Sequence, residues 1–336
     1  MERLKESWSL GGVPVENRVL LAPLAGIGNW FVRLQAKRFG AGLTVSEMVS
    51  SHGLAYGDAR TQNEFLRMHP DEGPTSIQLF GADPAIMREA AAQVAETGAK
   101  LIDLNMGCPV KKVCRTGAGS AMLKDPDTAV EVARAAGEGS GLPVTVKLRP
   151  GEKPGDRDGV ALARRLVDEA GVTGITFHPR HASQQHKGLP DYDLARDVVG
   201  ELAVPVIVSG GLLSAEKATM VIERTGAAAI MLARGSLGNP WLFERILGGR
   251  DAPPAPAEVV KELNWVIDRA GEHFDDARAA RYLRKFYPWY LERFKEFDAG
   301  HYTRARLNDL NRSLQQTESL AAAREALAAL EIPLAA

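Results

Sequence analysis

The stretch LIDLNMGCPVKKVCRTGAGSAMLKDPDTAVEVARAAGEGSGLPVTVKL, residues 101–148, holds one full repeat of the pattern that sets the fold. Leu101 to Asn105 form a short apolar run with the make-up of a buried strand, which breaks at Gly107-Cys108-Pro109 and continues through a basic, glycine-bearing loop. Residues 126–138 follow with helical spacing, and VTVKL at 144–148 is a second apolar run. The thiol of Cys108 therefore sits just past a strand end, on the kind of loop that a scaffold positions for function.

The alternation extends in both directions. Short β-branched or apolar runs lie near 18–22, 43–46, 75–79, 101–105, 144–148, 174–178, 205–209 and 228–233, and helix-like stretches separate most of them, as at 84–97, 159–170 and 214–225. Gly98, Gly171 and Gly226 stand where C-caps are expected. Strand–helix units repeated over about 245 residues predict a (β/α)8 TIM barrel, a fold of about 250 residues. An open doubly wound sheet is the alternative, weakened by the lack of a glycine fingerprint after the first run. Residues 8–17 read as a small hairpin turning on Gly11-Gly12.

The expected domains are a catalytic barrel over 1–250, a proline-rich linker at 251–257, and a small all-helical domain over 258–336, where no strand pattern occurs. Pro288 predicts a kink or helix restart near Tyr287. At 45% hydrophobic and 25% charged residues the composition is that of a globular protein. No apolar run is long enough to span a bilayer and MERLKESWSLGG lacks an apolar signal core, so a cytoplasmic protein without a membrane segment is expected. Two cysteines, Cys108 and Cys114, exclude a disulfide framework and predict no metal site.

In a barrel the catalytic groups lie at the C-terminal strand ends. The runs end at Pro23, Glu47, Gln78, Asn105, Lys147, His178, Ser209 and Arg234, a convergence of polar groups on one rim. Ser209-Gly210-Gly211 and Arg234-Gly235 occupy the loops after strands seven and eight, where barrels often bind phosphate. Lys147, His178 and Gln78 are donors around such a phosphate-bearing cofactor, and as a trio they suit the ring edge of a flavin.

These motifs resemble the flavin-dependent tRNA-dihydrouridine synthases: LNMGCPVKKVCRTGAGSAML, APLAG at 22–26, SEM at 46–48, QLFG at 78–81, VKLRPG at 146–151 and ARGSLGNPW at 233–241. The resemblance covers the barrel in order and includes the trailing helical domain. It implies an FMN-dependent reduction of uridine in tRNA, in which Cys108 gives a proton to C5, reduced FMN gives hydride to C6, and NADPH reduces the flavin. It places Gln78, Lys147 and His178 at the isoalloxazine ring, Pro23, Leu24 and Ala25 along it, and Ser209, Gly210, Gly211, Arg234 and Gly235 at the phosphate. Asn105 matches a residue lining the uracil site. Lys111, Lys112 and Arg180 are expected on the substrate side. Ser209-Gly210-Gly211 departs from the common Asn-Gly-Asp, and Pro179-Arg180-His181-Ala182 from the usual His-Gly-Arg-Thr. No role transfers to His181 or Cys114.

Residues 278–312 hold nine basic side chains against four acidic ones, an excess of +5 in a chain of net charge -1. Interleaved with Tyr282, Tyr287, Trp289, Tyr290 and Tyr302, they suit RNA, with Arg281, Arg284 and Lys285 as phosphate contacts. The bland reading is a solvated helix face over an aromatic core. A monomer with no obligatory protein partner is expected. Two other functions fit less well: a flavin barrel reducing a small molecule, which the basic C-terminal segment disfavours, and an RNA-binding module using the barrel as scaffold, which Cys108 and the rim disfavour.

Overall fold

A computed structural model describes residues 2–59, 61–297, 302–328 and 330. It divides into two compact units, Met1–Gly235 and Ser236–Ala336.

The first unit is a closed barrel of eight parallel strands: Val19–Leu21, Leu43–Ser50, Thr75–Phe80, Leu101–Met106, Val144–Leu148, Gly174–Phe177, Val206–Ser209 and Ala229–Leu232. They pair in chain order, and the eighth closes on the first through Ile230↔Val19, Met231↔Leu20 and Leu232↔Leu21. Closure rules out the open sheet and leaves no unpaired edge. The strands read as unbroken apolar runs because a parallel sheet with helices outside is buried on both faces. The helices between them are punctuated as the residue types dictate. Asp83, Asp125, Asp191 and Ser214 accept backbone N–H groups at N-termini, and Gly141, Gly171 and Gly226 take the left-handed conformation at C-termini.

The N-terminal hairpin pairs Trp8–Leu10 with Val13–Val15. Gly11 and Gly12, at φ 58° and 85°, supply the two positive φ angles that a tight hairpin turn of the right twist needs. Leu10 and Val15 join Leu20, Ala22, Leu43, Val45, Leu101, Ile207, Ala229 and Met231 in one buried cluster. A Cβ on Gly11 would lie 2.4 Å from Cβ of Pro143, just before the fifth strand begins. The hairpin thus stoppers the end where the strands start, and the polar interior lies towards the other end.

Side chains alternate along a strand, so Asp103 and Asn105 share the interior face with Leu101. Register sets Gln78 beside Asp103, Asp103 beside Thr145, and Asn105 beside Lys147. The second strand is longer than the expected 43–46. A register shift between Val45 and Met48 interrupts its pairing with the third strand, and Glu47 at this bulge accepts the Gly26 N–H at 2.6 Å on Oε2.

The second unit contains the helices Trp241–Ile246, Pro256–His273, Asp276–Leu283, Tyr287–Leu291, Arg304–Gln316 and Leu320–Ala328. The division falls after Gly235 and not at the expected 250. Gly238 lies against Trp289, whose backbone carbon would be 2.4 Å from a Cβ there, so the segment following the eighth strand packs within the helical unit. The proline-rich stretch is also shorter than 251–257, since Pro256 opens a helix, a position where its missing N–H costs nothing. A helix ends at Leu283 and the next restarts at Tyr287 with Pro288 in its first turn.

Candidate active site

Cys108 lies two residues past the end of the fourth strand, half-buried, with every backbone polar group engaged. Its N–H donates to Asn105 Oδ1 at 3.0 Å, and its carbonyl accepts from Ser120 N at 2.9 Å and from Cys114 Sγ at 3.3 Å. Gly119 is required for this closure: its φ is +65°, and a Cβ would sit 2.6 Å from the Cys108 carbonyl oxygen. Burial pushes the thiol above its ordinary range, while the Val110 N–H and the charges of Arg149 and Lys147 pull it back. Lys111, Lys112 and Arg115, exposed on the same loop, are not among the groups that act on it.

Asn105 holds that loop from below. Its Oδ1 also accepts from Gly107 N at 3.2 Å, and its Nδ2 donates to Gln78 Oε1 at 3.1 Å and lies 3.4 Å from Met48 Sδ. Gln78, only 1% exposed, donates from Nε2 to Asp103 Oδ2 at 2.6 Å, and Thr145 Oγ1 donates to Asp103 Oδ1 at 2.7 Å. The amide of Asn105, expected to line the base site, is thus committed to the chain itself. Gln78 keeps one of its two amide N–H groups.

Lys147 is half-buried beside Asn105, and its ammonium makes no hydrogen bond or salt bridge among the described residues. Burial and the Arg149 charge hold its ammonium down at about 8. Arg149 is 4% exposed and pairs with no carboxylate among the described residues; its Nε donates to Gly107 O at 2.8 Å, and its Nη1 to Gln185 O at 3.0 Å, Arg180 O at 3.1 Å and His181 O at 3.4 Å. One guanidinium therefore ties the Cys108 loop to the loop after the sixth strand.

His178 is 6% exposed, and its Nε2 lies 3.2 Å from Arg180 Nη1. A guanidinium has no acceptor, so Nε2 must accept and the ring proton is placed on Nδ1. Burial, with Lys147, Arg149 and Arg180 nearby, keeps the ring neutral by driving its pKa far down. Arg180 itself is 5% exposed, with Nε and Nη2 on Gly188 O. It supports the His178 ring and does not present its fork to solvent, unlike the substrate-side placement expected of it.

Gly210 and Gly211 have φ of +100° and +78°. A Cβ on Gly210 would meet His178 Nε2 at 2.5 Å, and one on Gly211 would meet the Tyr192 hydroxyl at 2.5 Å. Tyr192 donates to Gly210 O at 2.9 Å and holds the loop. Ser209 is buried, while Arg234 is exposed and makes no hydrogen bond among the described residues. In the loop after the first strand, which pairs with the eighth, Pro23 is half-buried, Leu24 buried and Ala25 exposed. Their loop is fixed by Glu47 and by the buried Arg33–Glu72 pair, whose Arg33 Nη1 donates to Gly28 O at 3.1 Å.

In the helical unit, Arg281 and Lys285 are exposed, with the Lys285 ammonium 4.7 Å from the centroid of the Tyr282 ring. Arg284 is half-buried and donates to Thr317 O at 3.1 Å, which makes it a structural tie. Tyr287 and Tyr290 are fully buried, so these two aromatics belong to the core and not to a stacking surface. Asp298, counted in the charge balance, lies outside the described residues.

Arg149, Asp103 and Tyr192 lie outside the set of residues that the sequence pattern singles out. The signal for Asp103 was a charge inside an apolar strand, two residues from Asn105 and so on its face. For Arg149 it was the same spacing from Lys147. Tyr192 carried none. Among the described residues no group of three or more His, Cys, Asp or Glu side chains could hold a metal ion, and no helix is long and apolar enough to cross a membrane.

The solved structure of histamine dehydrogenase from Rhizobium sp. 4-9 matches with a TM-score of 0.59 at 15% identity, over 74% of this chain and 48% of that one. Morphinone reductase matches with a TM-score of 0.56 at 17% identity, over 76% of this chain and 92% of that one. At such identities the likeness concerns the fold. Sequence relatives are nearer: tRNA-dihydrouridine synthase B of Proteus vulgaris is 36% identical over 320 residues, 93% of this chain and 97% of the relative. The protein of that name from Pseudomonas aeruginosa is 35% identical over 289 residues, 84% of this chain and 86% of the relative. The dihydrouridine synthase (Dus) family profile matches residues 20–329. With the barrel, the thiol loop and the glycine cradle in place, the chain belongs to the dihydrouridine synthase family.

Proposed function

We propose that this chain reduces uridine in tRNA to 5,6-dihydrouridine, with FMN as cofactor and NADPH as reductant. The observation that carries the reading is a thiol kept protonated by burial at the end of the fourth strand, on the same rim as a glycine cradle and an ammonium that makes no hydrogen bond or salt bridge among the described residues. The residues fit FMN. Gly210 and Gly211, at φ of +100° and +78°, carry the loop past the His178 ring and the Tyr192 hydroxyl where no Cβ fits, and with Ser209, Gly235 and the unbonded Arg234 they suit a phosphate. Lys147 offers a positive charge to an electron-rich ring edge, His178 an Nδ1–H, and Gln78 its remaining N–H. Pro23, Leu24 and Ala25 flank the ring. When bound and reduced, FMN supplies the hydride that C6 of the base receives.

The remaining work falls to this chain's side chains. Cys108 holds its proton at neutral pH and gives it to C5, and Asn105 with Arg149 keeps the Cys108 backbone in place for that transfer. Electrostatic help to the departing proton comes from Arg149 and Lys147, which favour the thiolate left behind. The base must leave its stack to reach the barrel mouth, at a cost of a few kcal/mol. Phosphate contacts from exposed Lys111, Lys112, Arg281 and Lys285 offset that cost. Purified protein with Cys108→Ala is expected to keep its flavin absorbance and NADPH oxidation and to lose dihydrouridine formation in tRNA. Full uridine reduction by that variant removes Cys108 from the chemistry.

A further inference from the structure

Asp103 is a carboxylate sealed inside the barrel, 1% exposed, and it takes no part in the proton or hydride transfers. We infer that Asp103 is a positioning residue for the proton donor: it sets the direction of a chain of side-chain amides that ends on the backbone of Cys108. The inference rests on the reading of Cys108 as that donor.

Donor–acceptor parity carries the argument. An ionised carboxylate only accepts, so the Gln78 atom 2.6 Å from Asp103 Oδ2 must be the amide nitrogen. Gln78 Oε1 then faces Asn105 and must be met by Asn105 Nδ2, at 3.1 Å. That leaves Asn105 Oδ1 towards the N–H groups of Gly107 and Cys108, at 3.2 and 3.0 Å. Were Gln78 reversed, Asn105 would have to reverse too, and its NH2 would confront two backbone donors. Nothing in an amide by itself prefers one direction, and here the buried acid at one end of the chain and the two backbone N–H groups at the other impose the same one, with the acid fixing Gln78.

Keeping the acid there is costly. Burial pushes its carboxyl from 3.8 up to about 6, against the hydrogen bonds of Thr145 and Gln78 and the charge of Lys147. A group that violates the apolar rule of a barrel interior marks a functional constraint, and a fixed amide chain under the reactive thiol is such a constraint.

Substitutions at Asp103 and Thr145 separate acceptor from charge. Asp103→Leu removes the acceptor. Asp103→Asn keeps it, because Asn Nδ2 can donate to Thr145 Oγ1 while that hydroxyl donates to Ile102 O, 3.4 Å away, and Oδ1 still accepts from Gln78. Adding Thr145→Val to Asp103→Asn removes that anchor with little change of shape. The holoenzymes are compared by kcat and KM on tRNA and by site-resolved mass spectrometry of Cys108 alkylation with iodoacetamide, after checking flavin content and Tm.

Asp103→Leu and the Asn/Val double variant should lose kcat by roughly 10- to 100-fold with KM little changed, the penalty of a misplaced reacting group. Their Cys108 should alkylate at least about threefold faster, as expected of a thiol whose backbone N–H has lost its acceptor. Asp103→Asn and Thr145→Val alone should stay within about threefold of wild type on both readings. Asp103→Asn falling as far as Asp103→Leu overturns the inference in favour of the bare charge, and wild-type alkylation in the double variant overturns it outright. If Asp103→Leu does not fold, the near-isosteric double variant decides. Failure of the wild-type protein to reduce uridine would instead sink the functional reading, while the alkylation series still reports on the amide chain.

Discussion

Replacing Arg149 tests how the reactive loop is held. Its guanidinium is buried and donates to three carbonyls within 3.1 Å, Gly107, Gln185 and Arg180, and more distantly to His181. Hydrogen bonds from a charged donor are worth about 1.5–3 kcal/mol each, or ~5–9 kcal/mol for three. Removing a buried charge recovers several kcal/mol of desolvation, so Arg149→Leu should destabilise the barrel by a net ~3 kcal/mol. For a unit of this size that lowers Tm by roughly 6–12 °C.

Arg149→Lys loses the fork and keeps the charge, so it should also be destabilised, and the two variants part company at the thiol. The Arg149 charge pulls the Cys108 pKa down, against a burial effect that pushes it up. Without a cation the thiol is protonated to higher pH, so the alkylation midpoint should lie higher in Arg149→Leu than in Arg149→Lys. Calorimetry gives the Tm, and the pH dependence of iodoacetamide labelling gives the midpoint. A wild-type Tm in both variants would falsify the structural role. A midpoint in the Leu variant at or below that of the Lys variant refutes the electrostatic coupling.

Gly210→Ala forces an L side chain into φ of +100° and sets a Cβ 2.5 Å from the His178 ring, so backbone strain of about 1–2 kcal/mol adds to a clash. FMN affinity should fall at least about tenfold in a fluorescence titration, and an unchanged affinity removes this loop from the cofactor site. Exchanging Arg281 and Lys285 together for Ala, with the structural Arg284 left in place, should weaken tRNA binding and reduce the slope of log affinity against log salt by about one per lost phosphate contact. Flavin content should not change. The same slope in the variant places the tRNA contacts elsewhere.

Much of the barrel was legible from periodicity. Runs such as VIVS at 206–209 and AIML at 229–232 are apolar throughout because helices cover one face and the interior the other. Asn105, Lys147 and His178 stood out as polar groups at the ends of such runs, and the structure sets all three at one rim. The bulge at Val45–Met48 was not legible, since pairing register depends on the neighbouring strand and LTVSEMVS alone does not specify it. The division at Gly235 was missed because the Pro-rich stretch is the stronger compositional signal, whereas the packing of Gly238 on Trp289 joins residues far apart in the chain.

The sequence by itself determined which residue types reach the end of which strand, since strand alternation and the loop that follows are local properties. It also determined Cys108 as a thiol in a basic, glycine-bearing loop. The tertiary structure decided what the charges do. In sequence Arg149, Arg180 and Arg284 resemble surface cations; in the fold they are drawn inward by carbonyls of Gly107, Gly188 and Thr317, the first and last of them on distant segments. Lys111, Lys112 and Arg115, nearest the thiol in the chain, leave its proton alone, while Arg149 and Lys147 reach it from the end of the neighbouring fifth strand. Electrostatic coupling follows distance through space in a low-dielectric interior, and sequence separation carries no record of that distance.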